Sequence, residues 1–90
     1  MSGIDDIQAA ITSNDLKLVE KLVKNGANIE IGFLTACYWG NLRIVKYLVE
    51  QGADIHANSD ESLYWSTTNK RLEVVDYLNN RILLEKLTCI

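Results

Sequence analysis

The 90-residue chain contains no proline, one histidine, two cysteines and five glycines. Without proline no helix is forced to break, and so few glycines suit helices joined by tight turns better than a sandwich of strands. Cys37 and Cys89 form no framework of spacings, which argues against a secreted scaffold stapled by disulfides. Positive charge is sparse and dispersed. Nine Lys and Arg face twelve Asp and Glu for a net charge of −3, so nothing makes a polybasic patch and affinity for nucleic-acid phosphates has no source. No apolar run approaches the roughly 20 residues of a membrane span. The opening stretch from Met1 to Asp6 is polar and acidic and does not read as a signal peptide. There is no Asn-x-Ser/Thr acceptor. These absences lead to the expectation of a soluble, reduced, intracellular protein.

What is present is a repeat. Apolar residues make up 48% of the chain, enough for a packed core in one small domain. Three segments align on Leu16, Leu42 and Leu72, with spacings of 26 and 30 residues. In the middle copy Leu42, Val45, Leu48 and Val49 recur at helical period, while Arg43, Lys46 and Glu50 point the other way. Asp15 and Asn41 hold the slot before the first periodic leucine, where a side-chain oxygen caps free N–H groups; Arg71 fills that slot in the third copy and cannot cap in this way. Gly26 and Gly52 end the first two helices, where a left-handed residue is needed. The shared Gly-Ala-Asn/Asp-Ile that follows each of these helices separates a true repeat from unrelated amphipathic hairpins.

A shorter helix is expected before each long one. Residues 4–13 place Ile7, Ala10 and Ile11 on one face; residues 31–39 place Phe33, Ala36 and Cys37; residues 60–69 place Leu63, Ser66 and Thr67, with Trp65 at a core position. Asn58 and Glu61 read as a capping pair before the last of these. Ala10, Ala36 and Ser66 stand four residues before the turn in their copies, a small side chain that permits close helix approach. The acid pairs Asp5-Asp6 and Asp60-Glu61 read as helix starts, beside the positive end of the helix dipole.

The run from Gly40 to Ile55, Gly-Asn-Leu-Arg-Ile-Val-Lys-Tyr-Leu-Val-Glu-Gln-Gly-Ala-Asp-Ile, resembles the second half of an ankyrin repeat. The resemblance extends from about Asp5 to Leu78, best in the second copy and weakest in the third. The ankyrin period is about 33 residues, a β-turn and two helices. The short loops and Leu63-Tyr64-Trp65-Ser66 are similar to the abbreviated repeats of giant-virus ankyrin proteins. The Thr-Pro-Leu-His opening of a typical ankyrin repeat is missing from all three copies. Only 14 residues separate Gly26 from Gly40 and 18 separate Gly52 from Lys70, so the hairpin fingers of a full array are trimmed and no paired strands are expected. The implied fold is an all-α, ankyrin-type solenoid of three stacked helix-turn-helix repeats (4–29, 30–56 and 57–81) in a single domain, 1–90. A short C-terminal helical cap at 82–90 follows Asn79-Asn80-Arg81. Terminal repeats need polar outer faces, here Asp5, Gln8, Thr12 and Ser13 at one end and Asn79 and Asn80 at the other.

Little in the chain suggests catalysis. His56 follows a Gly-Ala-Asp-Ile turn and reads as a turn residue. A Cys–His pair with Cys37 or Cys89 is conceivable, but Cys37 sits on a core face as a small hydrophobe, and Cys89 is one residue from the last position. Neither metal-ligand spacing nor a glycine-rich phosphate loop is present, and no cofactor is expected. Tyr38 and Trp39 close the short helix of the second copy. They either pack against a neighbouring repeat or contact a partner, as exposed aromatics at interfaces do. The family resemblance implies that these positions lie on a concave, partner-contacting face. The equivalent pairs, Thr12 and Ser13 in the first copy and Thr68 and Asn69 in the third, would flank them. The function implied is a protein-binding module, an adaptor or inhibitor and not an enzyme, monomeric, with no nucleic-acid or membrane partner. It would work in cytoplasm or nucleoplasm, that of a host cell for a viral source. The alternative is a structural module that self-associates through an imperfectly capped end.

Overall fold

A computed structural model describes residues 3–88. Six helices follow one another: α1 (Gly3–Thr12), α2 (Leu16–Lys24), α3 (Ile29–Trp39), α4 (Leu42–Glu50), α5 (Ala57–Thr68) and α6 (Leu72–Thr88). Among the described residues there is no strand. The fold is the expected all-α stack of three helix pairs. The first helices, α1, α3 and α5, pack side by side in one row, and α2, α4 and α6 form a second row behind them. Cys89 and the side chains of Asp5, Asp6, Asn58 and Asp60 lie outside the described residues.

The repeated Gly-Ala-Asn/Asp-Ile has a separate physical task for each residue. Gly26 and Gly52 take φ of +96° and +105°, the left-handed step that ends α2 and α4. The amide of Ala27 then donates to the Leu22 carbonyl, and that of Ala53 to Leu48, each at 3.0 Å. The polar residue organises what comes next. The Asn28 side chain accepts from the Ile31 amide at 3.1 Å and caps α3, while Asp54 Oδ1 accepts from the His56 amide at 2.9 Å. Ile55 and Ala53 are buried, and Ile29 packs against the core from its edge.

The first row turns by a different left-handed residue. Asn14, Gly40 and Lys70 have φ of +57°, +77° and +56°. The residue after each donates its amide back to the small residue four places before the turn: Asp15 to Ala10 at 3.0 Å, Asn41 to Ala36 at 3.0 Å and Arg71 to Ser66 at 2.7 Å. Ala10, Ala36 and Ser66 are all buried, so the expected small-residue position is also where the turn closes. Ser66 is satisfied, its hydroxyl donating to the Ser62 carbonyl at 2.8 Å.

The core runs the length of the stack. Ile7 and Ile11 of α1 meet Phe33 and Cys37 of α3, backed by Val19, Ile44, Val45, Leu48, Val74 and Leu78 from the second row. Gly32 lies where α1 and α3 approach closest: a Cβ there would fall 2.9 Å from Ile7 Cδ1. Because α3 has a neighbour on both sides and α4 behind it, it is apolar around most of its circumference, as a central helix must be.

Several local expectations are corrected. Asn41 does not cap α4; its Nδ2 donates across to the Ile11 carbonyl of α1. Arg71 does the equivalent in the next pair, its Nε donating to the Tyr38 carbonyl at 3.1 Å. Of the three residues in this slot, Asp15 alone caps its own helix, accepting from the Leu18 amide at 3.1 Å. The Asn58–Glu61 pair lies inside α5, which begins at Ala57 after His56. Thr67 is exposed and Ser62 takes the buried place on α5, its hydroxyl donating to the Ile55 carbonyl at 3.0 Å. The C-terminal helical segment continues from α6 without a break at Asn79-Asn80-Arg81, because no glycine stands there to take the left-handed step.

Two stability predictions follow from this packing. Leu48 is fully buried and Arg43 exposed. Leu48→Ala should cost about 2–5 kcal/mol by urea denaturation, and Arg43→Ala should stay within roughly 0.5 kcal/mol; equal midpoint shifts would contradict the packing. Lys70 holds a left-handed conformation that favours glycine, so Lys70→Gly should raise stability by about 0.5–1 kcal/mol. An unchanged or lowered midpoint would show that the turn carries no strain.

Candidate functional site

The residues that end each helix of the first row decide what its outward face presents. On a helix, positions six, five, two and one before the turn residue share a face through their three- and four-residue spacings. In this chain seven residues at those positions line a trough of about 400 Å³. Helix α1 contributes Gln8 and Thr12, α3 contributes Leu34, Thr35, Tyr38 and Trp39, and α5 contributes Trp65.

The trough has an aromatic wall. Tyr38 and Trp39 meet edge to face, centroids 5.3 Å apart and planes at 70°. Tyr38 meets the Trp65 ring at 5.5 Å and 55°, and Trp65 meets Tyr64 at 5.2 Å and 75°. Such inclined contacts suit the ring quadrupoles and hold the four rings in a chain. Even so, Tyr38 and Trp39 remain 39% and 46% exposed. Trp65, expected in the core, is half-buried here, and its indole Nε1 donates to Glu61 Oε2 at 3.2 Å.

The polar rim is tied to its own helices. Thr12 Oγ1 donates to the Gln8 carbonyl at 2.9 Å, and Thr35 Oγ1 to the Ile31 carbonyl at 2.8 Å. Gln8 Nε2 reaches Thr35 Oγ1 at 3.5 Å, a long bond that bridges α1 and α3. Behind the wall, Arg71 crosses Gly40 so closely that a Cβ on that glycine would lie 2.6 Å from Arg71 Cδ. The glycine thus lets the guanidinium reach the Tyr38 carbonyl and fix the end of α3.

Of the six residues singled out in the sequence, Thr12, Tyr38 and Trp39 come together in the trough. Ser13, Thr68 and Asn69 stand outside its lining. Asn69 turns its Nδ2 back to the Trp65 carbonyl at 2.8 Å, and Ser13 and Thr68 are exposed at the helix ends. Gln8, Leu34, Thr35 and Trp65 were missed, although the same helical spacing that groups them with Thr12, Tyr38 and Trp39 was available.

Of the nucleophile candidates, Cys89 lies outside the described residues, Cys37 is buried in the core and His56 is exposed. Burial pushes the Cys37 thiol from its ordinary 9.0 up to about 12. His56, in the loop between α4 and α5, holds Glu85 Oε1 of α6 through Nε2 at 2.8 Å. Among the described residues no group of three or more His, Cys, Asp or Glu is placed to hold a metal ion. No helix among them is long and apolar enough to cross a membrane.

The family model described as ankyrin repeats (3 copies) matches residues 7–86. Comparison with curated proteins returns no match, and comparison with solved structures returns none.

The Cys37 thiol generates a prediction in two parts. With Cys89→Ser as background, Cys37 should resist a thiol reagent under native conditions and react on unfolding; prompt native-state labelling would contradict its burial. The folded state also keeps the thiol proton between pH 9.0 and about 12 while the unfolded chain loses it. The stabilisation is complete below the lower value and is lost as pH rises toward the upper one. Urea midpoints should therefore fall more steeply over that window than in Cys37→Ala, and parallel slopes would refute the shift.

Proposed function

Since the chain belongs to the ankyrin repeat family, whose repeats are protein–protein interaction modules, we propose that it is a small adaptor or inhibitor that binds a protein partner along the outward face of α1, α3 and α5. The observation that carries this reading is the exposure of Tyr38 and Trp39 in a trough shared by all three helices. A soluble protein gains nothing in stability from leaving two large rings half-open to water, whereas partner recognition draws most of its energy from such rings inside a polar rim. Gln8, Thr12 and Thr35 supply that rim. Thr68, Asn69 and Ser13 extend the same face at the helix ends. With no hairpin between pairs, the helices themselves must make the contact. The free, buried Cys37 suits a reducing compartment, cytoplasm or nucleoplasm. No residue is assigned a catalytic role.

A second reading has its own observation. Leu16 and Leu42 are packed against the core, but the equivalent Leu72 is 70% exposed. Leu83, three turns further along α6, lies on the same stripe, with Leu84 and Leu87 beside it, all more than half exposed. An open apolar end of this kind favours stacking of one copy on another.

Affinity capture separates the two readings. Replacing Tyr38 and Trp39 together by alanine should abolish recovery of the partner while the helical signal persists and stability falls by no more than about 1 kcal/mol. Undiminished capture would move the site elsewhere. In sedimentation equilibrium the intact chain should remain monomeric at micromolar concentration. A dimer that Leu83→Glu with Leu87→Glu dissociates would establish the second reading instead.

A further inference from the structure

Resting on the reading of the trough as the partner site, we propose that the trough recognises an arginine side chain of the partner, held against the faces of Tyr38, Trp39 and Trp65. Three features support a cationic planar group over an apolar one. The rings are inclined to one another at 55° and 70°, so they form the walls of a corner and not a flat plate. Tyr38 and Trp39 keep 39% and 46% of their surface open in the trough, and an open ring face attracts a cation through its quadrupole. The lining contains no lysine or arginine to compete for the faces. A carboxylate stands at the edge of the wall, where Glu61 Oε2 accepts from the Trp65 indole at 3.2 Å. This contact fixes the ring and sets a carboxylate against a residue that lines the trough.

The trough remains open to water, which decides between the two basic side chains. An ammonium is strongly hydrated and gains little at an exposed ring. A guanidinium is weakly hydrated, lies flat on an indole and keeps its edge donors for hydrogen bonds. Thr35 and Gln8, across from the aromatic wall, provide side-chain oxygens for such donors or for the adjoining peptide backbone. The net charge of −3 adds a general attraction for a basic segment, which the test must separate from recognition by the corner.

The test is a titration of the full chain with the tripeptide Ac-Ala-Arg-Ala-NH2, followed at the indole N–H signals of Trp39 and Trp65. The same titration is run with the citrulline and lysine counterparts. Citrulline keeps the planar shape and removes the charge. The arginine peptide should shift both indoles at millimolar concentration, with the citrulline peptide weaker by roughly tenfold and the lysine peptide intermediate. Trp39→Leu, which keeps apolar bulk and net charge, should weaken the arginine peptide several-fold and leave the helical signal unchanged. Arginine and citrulline peptides of equal affinity, a lysine peptide that binds more tightly, indoles that do not respond, or a Trp39→Leu variant that binds as well as the parent would each overturn the inference. If that happens while the Tyr38 and Trp39 double replacement still abolishes capture, the trough remains the partner site and only its cationic preference falls. If capture survives the double replacement, the underlying reading falls with it.

Discussion

Everything in this fold depends on a left-handed residue at the end of each first-row helix. At Asn14, Gly40 and Lys70 the chain steps to positive φ. The next amide returns to the carbonyl of a buried small residue. Both conditions must hold at once. The left-handed step turns the chain so that the second helix lies against the first. The small side chain at Ala10, Ala36 or Ser66 lets neighbouring helices pack over the turn. A larger residue there would separate the rows, and a turn without the returning bond would take the turn's backbone partner from the Ala10 and Ser66 carbonyls, Ala36 alone keeping a second one in the Gly40 amide. Gly40 meets the backbone requirement without strain, Asn14 with little, and Lys70 against its preference.

The second constraint is the link between pairs. A stack of three has no long-range sheet to hold it, so each pair must be keyed to the one before it. Packing around Phe33 and Gly32 supplies most of this, and the slot after each turn supplies direction. Asn41 and Arg71 donate to carbonyls in the last turn of the preceding first-row helix. The Ile11 carbonyl also accepts from the Asn14 amide at 2.9 Å, whereas the Tyr38 carbonyl lies among the last of α3, which have no partner within the helix. Each contact fixes the spacing of two pairs, and the one from Arg71 also caps the end of α3. On the opposite side Glu30 Oε1 accepts from the Asp54 amide at 2.8 Å, joining the first turn of α3 to the loop between α4 and α5. Lys46 lies 5.8 Å from the centre of the Tyr77 ring and links α4 to α6 along the second row.

These constraints explain what could be read in the sequence and what could not. The helices, the stripe around Leu48, the glycine ends and the small-residue position follow from periodicities within one segment, and the sequence alone locates them. The role of the slot after the turn was misread for Asn41, because a capping residue and an inter-pair donor have the same local signature; only the presence of a preceding pair distinguishes them. Arg71 was correctly excluded as a cap, yet its true partner, a backbone carbonyl 33 residues away, leaves no local trace. Trp65 reads as a core position from its place beside Leu63 and Ser66 in the helix. Its position five before the turn, equivalent to Thr35, puts it on the face of Tyr38 instead. The break expected at Asn79-Asn80-Arg81 failed for the reason that made the other ends legible: no left-handed glycine is present to end α6.

The same frame governs how the trough can behave. Tyr38 and Trp39 sit in the last turn of α3, which by itself would be the part of the helix most prone to fray. Here that turn is held at its end by Arg71, on its side by the Trp65 ring, and beneath by buried Cys37 and Ala36. The exposed rings are thus mounted on the most heavily supported helix of the molecule, not on a loop. A surface of this kind is ordered before any partner arrives, so little of the contact energy is lost to ordering it. The cost is narrowness. With short connections in place of projecting hairpins, the chain cannot wrap a partner and must recognise it through a few side chains spaced by helix geometry. On the proposed reading, the side chains that line the trough, set on an otherwise repetitive scaffold, determine what is bound.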